Sequence, residues 1–156
     1  MNKNTQKNQN IQNDQDIKLL DWTRIFLNYK KAMGFVSEIK EDKIKNYDVF
    51  IVVEKGVRKN IVVIETLSDK TLGFLEQNIT KEGDGITIMT LNTRKNLDFL
   101  IKHWDSFLNK KATLYFVNPR KNEKWFVNTK IHSFITEDNH LKRSLKALFE
   151  SVEPID

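Results

Sequence analysis

A chain of 156 residues has the length of one ordinary domain, and the absence of cysteine excludes disulfides and thiolate zinc sites. No apolar run approaches the ~20 residues that cross a bilayer. The opening MNKNTQKNQNIQNDQ holds no apolar core for a secretory signal. These features predict a soluble, cytoplasmic protein with no membrane role. The net charge of +5 is unevenly spread, with twelve Lys/Arg against five Asp/Glu between Arg94 and Lys146. That excess is compatible with contact to DNA or RNA phosphates, and equally with an ordinary solvated surface.

Residues 1–15 contain a single Ile among Asn, Gln, Lys and Asp, too little apolar surface to offset ordering entropy, which predicts a disordered polar tail. The rest, 16–156, reads as one domain. Residues 16–34 predict a helix with Leu19, Trp22, Phe26, Tyr29 and Met33 on a core-facing stripe and Gly34 as its stop. Residues 35–44 alternate poorly and predict an outer strand.

A hairpin follows in YDVFIVVEKGVRKNIVVIETL, residues 47–67. Its two runs are apolar on both faces, which predicts central strands covered on both sides. Val49, Ile51 and Val53 point one way; Asp48, Phe50 and Val52 point the other. Ile61, Val63, Glu65 and Leu67 share one face of the second run. A two-residue loop at Gly56 and Val57 fits a type II′ turn and sets Asp48 opposite Glu65. A four-residue loop sets Asp48 opposite Leu67, with Glu65 one diagonal away. Odd loops would put the acids on opposite faces.

Ser68 and Asp69 open a second helix with Leu72, Leu75 and Ile79 inward, and residues 81–85 form a loop. Residues 86–91 are a strand, so strand, helix, strand predicts a crossover to a parallel neighbour. From Asn92 or Thr93, the apolar positions Leu97, Leu100, Ile101, Trp104, Phe107 and Leu108 predict one continuous helix. Residues 112–117 are a strand ended by Asn118 and Pro119. Residues 125–127 and 131–135 predict one bent strand or two short ones. Asp138 or Asn139 caps a last helix with Leu141, Leu145, Leu148 and Val152 inward, closed by Pro154. The fold class is α/β, a single mixed sheet flanked by helices.

Two carboxylates on adjacent strands suit a hard cation such as Mg²⁺ or Mn²⁺, whose shell water and phosphate oxygens complete. The simpler readings are that Asp48 bonds a nearby backbone amide and that Glu65 is solvated or paired with Lys70. The order helix, strand, hairpin with Asp then Glu, helix, strand resembles the PD-(D/E)XK nuclease superfamily, the restriction-endonuclease-like fold. The resemblance covers about residues 16–91, an α-β-β-β-α-β core, with later elements as additions. YDV supplies Asp48 and IVVIET supplies Glu65. The resemblance implies that these two acids hold the metal and that a Lys stands two residues after Glu65. That position is Leu67. Lys70 is the displaced candidate, with Gln77 and Glu38 as weaker accessory positions. The expectation is a degenerate member that binds nucleic acid, a partner protein or a second copy without cutting. An active metal-dependent nuclease using Asp48, Glu65 and Lys70 is the alternative. A structural or protein-interaction domain with no nucleic acid role is the third.

Other chemistries find no support. His103, His132 and His140 lack metal-ligand spacing, and no G-x-S-x-G, G-x-G-x-x-G or P-loop occurs. Tyr115, Phe116, Trp125 and Phe126 lie among Lys110, Lys111, Arg120, Lys121 and Lys124. Such interleaving suits stacking on single strands, but the favoured reading is core rings between basic turns, since such residues regularly fill strands.

Overall fold

The computed structural model describes residues 16–78 and 85–156. The tail predicted over 1–15, Ile79 and most of the 81–85 loop lie outside them. Six strands form one mixed sheet: β1 (Glu38–Ile44), β2 (Tyr47–Glu54), β3 (Val57–Val63), β4 (Thr87–Leu91), β5 (Thr113–Asn118) and β6 (Glu123–Asn128). They lie side by side in chain order. β1, β2 and β3 are antiparallel, β3, β4 and β5 are parallel, and β6 returns antiparallel. Helix α1 (Leu19–Ala32) covers one face. The other face carries α2 (Asp69–Asn78), α3 (Arg94–Lys102), α4 (Trp104–Asn109) and α6 (Leu141–Glu150). The short α5 (Thr129–Ile135) follows β6. No helix among the described residues is long and apolar enough to cross a membrane.

Strand alternation divides the core into two layers. Val49, Val62, Ile88, Leu114 and Phe116 point toward α2–α6, where Leu75, Leu100, Phe107, Leu145 and Phe149 meet them. Phe50, Val52, Ile61, Val63 and Met89 point toward α1, where Leu19, Trp22 and Leu27 cover them. The central strands are therefore apolar on both faces, as the hairpin pattern predicts. β1 is an edge strand, also as predicted. Its mostly exposed, charged side chains discourage pairing with another chain.

Several elements depart from the sequence reading. α1 buries Leu19, Trp22, Thr23 and Leu27, whereas Tyr29 and Met33 at the end of the predicted stripe are exposed. A single helix is too narrow to cover the whole sheet, so its flank stays open. The hairpin turns at Lys55 and Gly56, both at positive φ (52° and 75°), a type I′ geometry instead of the predicted II′. The right-handed twist of the strands favours that turn, which starts β3 at Val57 and sets Asp48 opposite Val63. The long helix predicted from Asn92 is two helices, broken at His103 (φ −111°, ψ 27°). The break is invisible in the pattern because Leu100 and Trp104 keep the same inward face across it. Residues 131–135, expected as strand, are helical: the Asn128 side chain accepts the Ile131 N–H and starts α5. The β-branched composition was overridden by that cap.

Gly85, just ahead of β4, meets the chain that leads into β5. At φ +93° it runs against the Lys111 carbonyl, and a Cβ there would collide with that backbone.

Candidate functional site

The carboxyl ends of β3, β4 and β5 form one edge of the sheet, where open α/β sheets characteristically bind ligands. Both candidate acids lie along it. Asp48 stands opposite Val63, the last residue of β3, and not opposite Glu65 or Leu67 as the two predicted turns required. Alternation from Phe50 and Val52 puts Asp48 on the α1 face. Its carboxylate lies 3.9 Å from the Lys43 ammonium on β1. Glu65 follows two residues after β3 ends. Its exposed side chain borders an open cleft of about 170 Å³, which also takes in Asp16, Lys18, Leu91, Pro119 and Arg120. Arg120 grips Asp16 with two bonds, Nε at 2.9 Å and Nη2 at 3.0 Å. Two cations and two carboxylates thus balance at this cleft.

The backbone at Glu65 is held more firmly than its side chain. Its carbonyl accepts from Asn96 Nδ2 (2.8 Å), Thr90 Oγ1 (3.2 Å) and the Leu91 N–H (3.4 Å). Asn96 Oδ1 in turn accepts the Leu67 N–H at 2.8 Å. Asn96 is fully buried at 0% exposure, and its Nδ2 also donates to Thr90 Oγ1 and the Leu91 carbonyl, both at 2.9 Å. One side chain therefore stitches β3's continuation to β4's end. A second buried amide, Asn92, accepts the Trp125 Nε1–H at 2.8 Å and donates to the Val152 and Glu153 carbonyls. Asn118 joins it by donating to Glu153 O at 2.9 Å. Sequence reading missed all three. Asparagine carries no periodic signal, and only its position at a strand end or in a first helical turn hints at a structural role.

Leu67 completes the geometry. It is 1% exposed and packs in the α2–α6 layer with Val62, Phe74 and Leu75, although the sequence reading gave it Glu65's face. The chain leaves strand geometry after Val63, so alternation no longer governs it. Lys70, in the first turn of α2, is exposed and makes no ion pair with Asp48 or Glu65 among the described residues. Gln77 sits further along α2, and Glu38 opens β1 with an exposed side chain. No three His, Asp or Glu side chains among the described residues converge as metal ligands.

The predicted basic residues split between the two ends of β5, about 17 Å apart. At its start, Lys110 pairs with Glu76 at 3.1 Å, and Lys111 is exposed at φ +50°. In the β5–β6 turn, Arg120 is taken by Asp16 and Lys121 approaches Glu153 at 3.6 Å, and at the start of β6 Lys124 Nζ sits 4.9 Å over the Phe26 ring. The neighbouring aromatic residues split by face. Phe116 and Trp125 stack at 4.2 Å inside the core, as the structural reading had it. Tyr115 and Phe126 stack at 5.2 Å on the opposite face, and Phe126 is 56% exposed.

A second cavity, about 220 Å³, lies beneath α1 at the other end of the sheet. There Glu54 lies 3.3 Å from both the Lys30 and Lys59 ammonium groups. Burial works to raise the Glu54 carboxyl, but the two lysines outweigh it and hold it below the usual range. Burial and the Glu54 charge push the Tyr115 hydroxyl up, so it stays a neutral phenol. No protein-family model, curated protein or solved structure matches this chain.

Proposed function

We propose that this is a restriction-endonuclease-like domain with a degenerate site, one that binds nucleic acid without cutting it. The observation that carries the reading is Leu67. The residue where a catalytic lysine would stand is buried in the layer opposite the cleft, with its N–H committed to Asn96. Two further observations support it. The order helix, three strands, helix, strand fits the nuclease core, and Asp48 and Glu65 both lie on the sheet's carboxyl edge. A divalent ion is no part of this reading: one acid leans toward Lys43, and the other shares its cleft with two cations.

The test incubates the protein with single- and double-stranded DNA and RNA, with Mg²⁺ and with Mn²⁺. Retention of every substrate intact, with binding whose affinity falls steeply as salt rises, is the expected result. Cleavage that vanishes in both Asp48→Ala and Glu65→Ala overturns it. A second reading, docking of a partner protein, is favoured by α5. Its Ile131, Phe134 and Ile135 are all exposed, Phe134 to 79%. Phe134→Asp would then abolish a complex that the acid variants leave intact.

A further inference from the structure

α1 packs over the sheet as far as β5, where Val117 and Tyr115 join its layer, and between it and the β5–β6 hairpin lies a groove of about 300 Å³. Trp22, Ile25, Phe26 and Tyr29 line it from the helix; Asn122 and Lys124 line it from the hairpin. Its rings are held in place. Trp22 Nε1 donates to Asn122 Oδ1 at 2.8 Å, and the Trp22 ring stacks on Phe26 at 5.1 Å and 15°. Phe26 meets Tyr115 at 6.0 Å, and Tyr115 stacks on Phe126 at 5.2 Å. A ladder of four rings thus runs from the helix to the edge strand. Tyr29 (61% exposed) and Phe126 flank it with ring surface open to solvent. Two amines lie over the ladder: Lys124 Nζ at 4.9 Å and Lys30 Nζ at 5.8 Å from the Phe26 centroid. No carboxylate lines the groove. Further along this face, Glu54 is held between Lys30 and Lys59.

We infer that this groove binds single-stranded nucleic acid, with bases stacked on Tyr29 and Phe126 and a phosphate met by Lys124. The inference rests on the nucleic acid binding proposed above and names its strand type and surface. Exposed ring surface beside Lys124, whose amine makes no ion pair among the described residues, matches an unpaired strand, whose bases offer π surfaces on an anionic backbone. A duplex hides those faces in its own stack. A peptide would need donors and acceptors for its main chain. Here the Asn122 carbonyl oxygen is already committed to Trp22. With so few directional groups, recognition is by stacking and charge, so it tolerates sequence. Phe126 is already stacked on Tyr115 before any ligand arrives, which lowers the ordering cost of binding at that ring.

Fluorescence anisotropy with labelled oligothymidylate and oligouridylate, against a duplex of equal length and without divalent metal, tests this. The single strands should bind more tightly than the duplex. Tyr29→Ala and Phe126→Ala should each weaken single-strand binding roughly five- to a hundred-fold. Both remove exposed side chains, so unchanged unfolding midpoints verify that the fold persists. Lys124→Ala should lower the salt slope by about one. Wild-type affinity in both ring variants, with binding retained, overturns the groove and leaves nucleic acid binding standing. Absence of any binding at low salt overturns both. A dimer of the wild type that Phe126→Ala dissolves, with oligonucleotide binding unchanged, assigns the groove to a second copy and overturns the inference.

Discussion

Replacing Asn96 by Ala removes the amide that joins residues 65–67 to the end of β4. Leu67 N–H donates to Asn96 Oδ1 at 2.8 Å, and no other acceptor serves it among the described contacts. Orphaning that buried donor costs about 1–3 kcal/mol. The carbonyls that Nδ2 serves fare better. Glu65 O keeps Thr90 Oγ1 and the Leu91 N–H, and Leu91 O keeps the Thr93 N–H. Losing the two Nδ2 hydrogens therefore costs only the net worth of two bonds, about 1–3 kcal/mol in all. The sum, about 2–6 kcal/mol, is a large share of the ~5–15 kcal/mol that holds a domain of this size. Urea unfolding followed by tryptophan fluorescence measures it, since Trp22, Trp104 and Trp125 are all buried. Asn96→Asp is the sharper variant. It keeps the shape and the Leu67 acceptor but aims an oxygen at the Glu65 and Leu91 carbonyls. It should destabilise at least as much at neutral pH and recover part of the difference from wild type as acid protonates it. A loss below about 1 kcal/mol in both variants would mean that Leu67 packing, not the amide, holds the segment.

Leu67→Lys, which restores the nuclease pattern on paper, should cost about 3–5 kcal/mol and confer no cleavage, because position 67 faces the α2–α6 layer; metal-dependent cutting by a folded Leu67→Lys protein would refute that placement. Lys55→Asn gives the β2–β3 turn the Asn-Gly pair that type I′ favours, and should raise stability by about 0.5–1 kcal/mol in the same urea assay. Burial lowers the His132 pKa, and its Nε2 meets Ser144 Oγ at 3.2 Å. The unfolded chain takes up that proton near pH ~6.5 while the folded one resists, so stability is full above that pH and falls as pH drops below it. Glu54 works the same way at lower pH: its folded value is depressed, so its contribution holds above ~4.3 and is lost on further acidification. His132→Gln should erase the first decline and keep the second; superimposable pH profiles would refute the assignment.

The sheet was legible because its strands are strongly apolar. Residues 49–53, 61–63, 86–91 and 112–117 declare themselves by β-branched runs, and the parallel crossover follows from the helix between β3 and β4. The two-layer core was legible from the same runs, which are apolar on both faces. What failed was local. The turn moved by one residue because type I′ was preferred over II′, and that slid Asp48 from Glu65 to Val63. The helix break at His103 and the start of α5 at Asn128 depend on single residues against an apolar pattern that continues through them. The acids at the candidate site were found, but the amide that fixes one of them was not. A buried Asn is recognised only by what surrounds it, and Asn96 gathers partners from residues 65, 67, 90 and 91. Likewise, the rings of residues 115, 116, 125 and 126 separate into core and surface only once the register of β5 and β6 is known.

The strands stand in the sheet in the order in which they are made. Each strand after β1 pairs with the strand that precedes it in the chain, so every strand pairing is between sequence neighbours, which keeps contact order low. A longer reach belongs to the bond set between Asn92, Asn118 and residues 152–155, which spans up to 63 positions of sequence, from Asn92 to Ile155. In chain order, residues 152–155 are thus the last to join the carboxyl edge of the sheet, and they close it from outside the sheet itself.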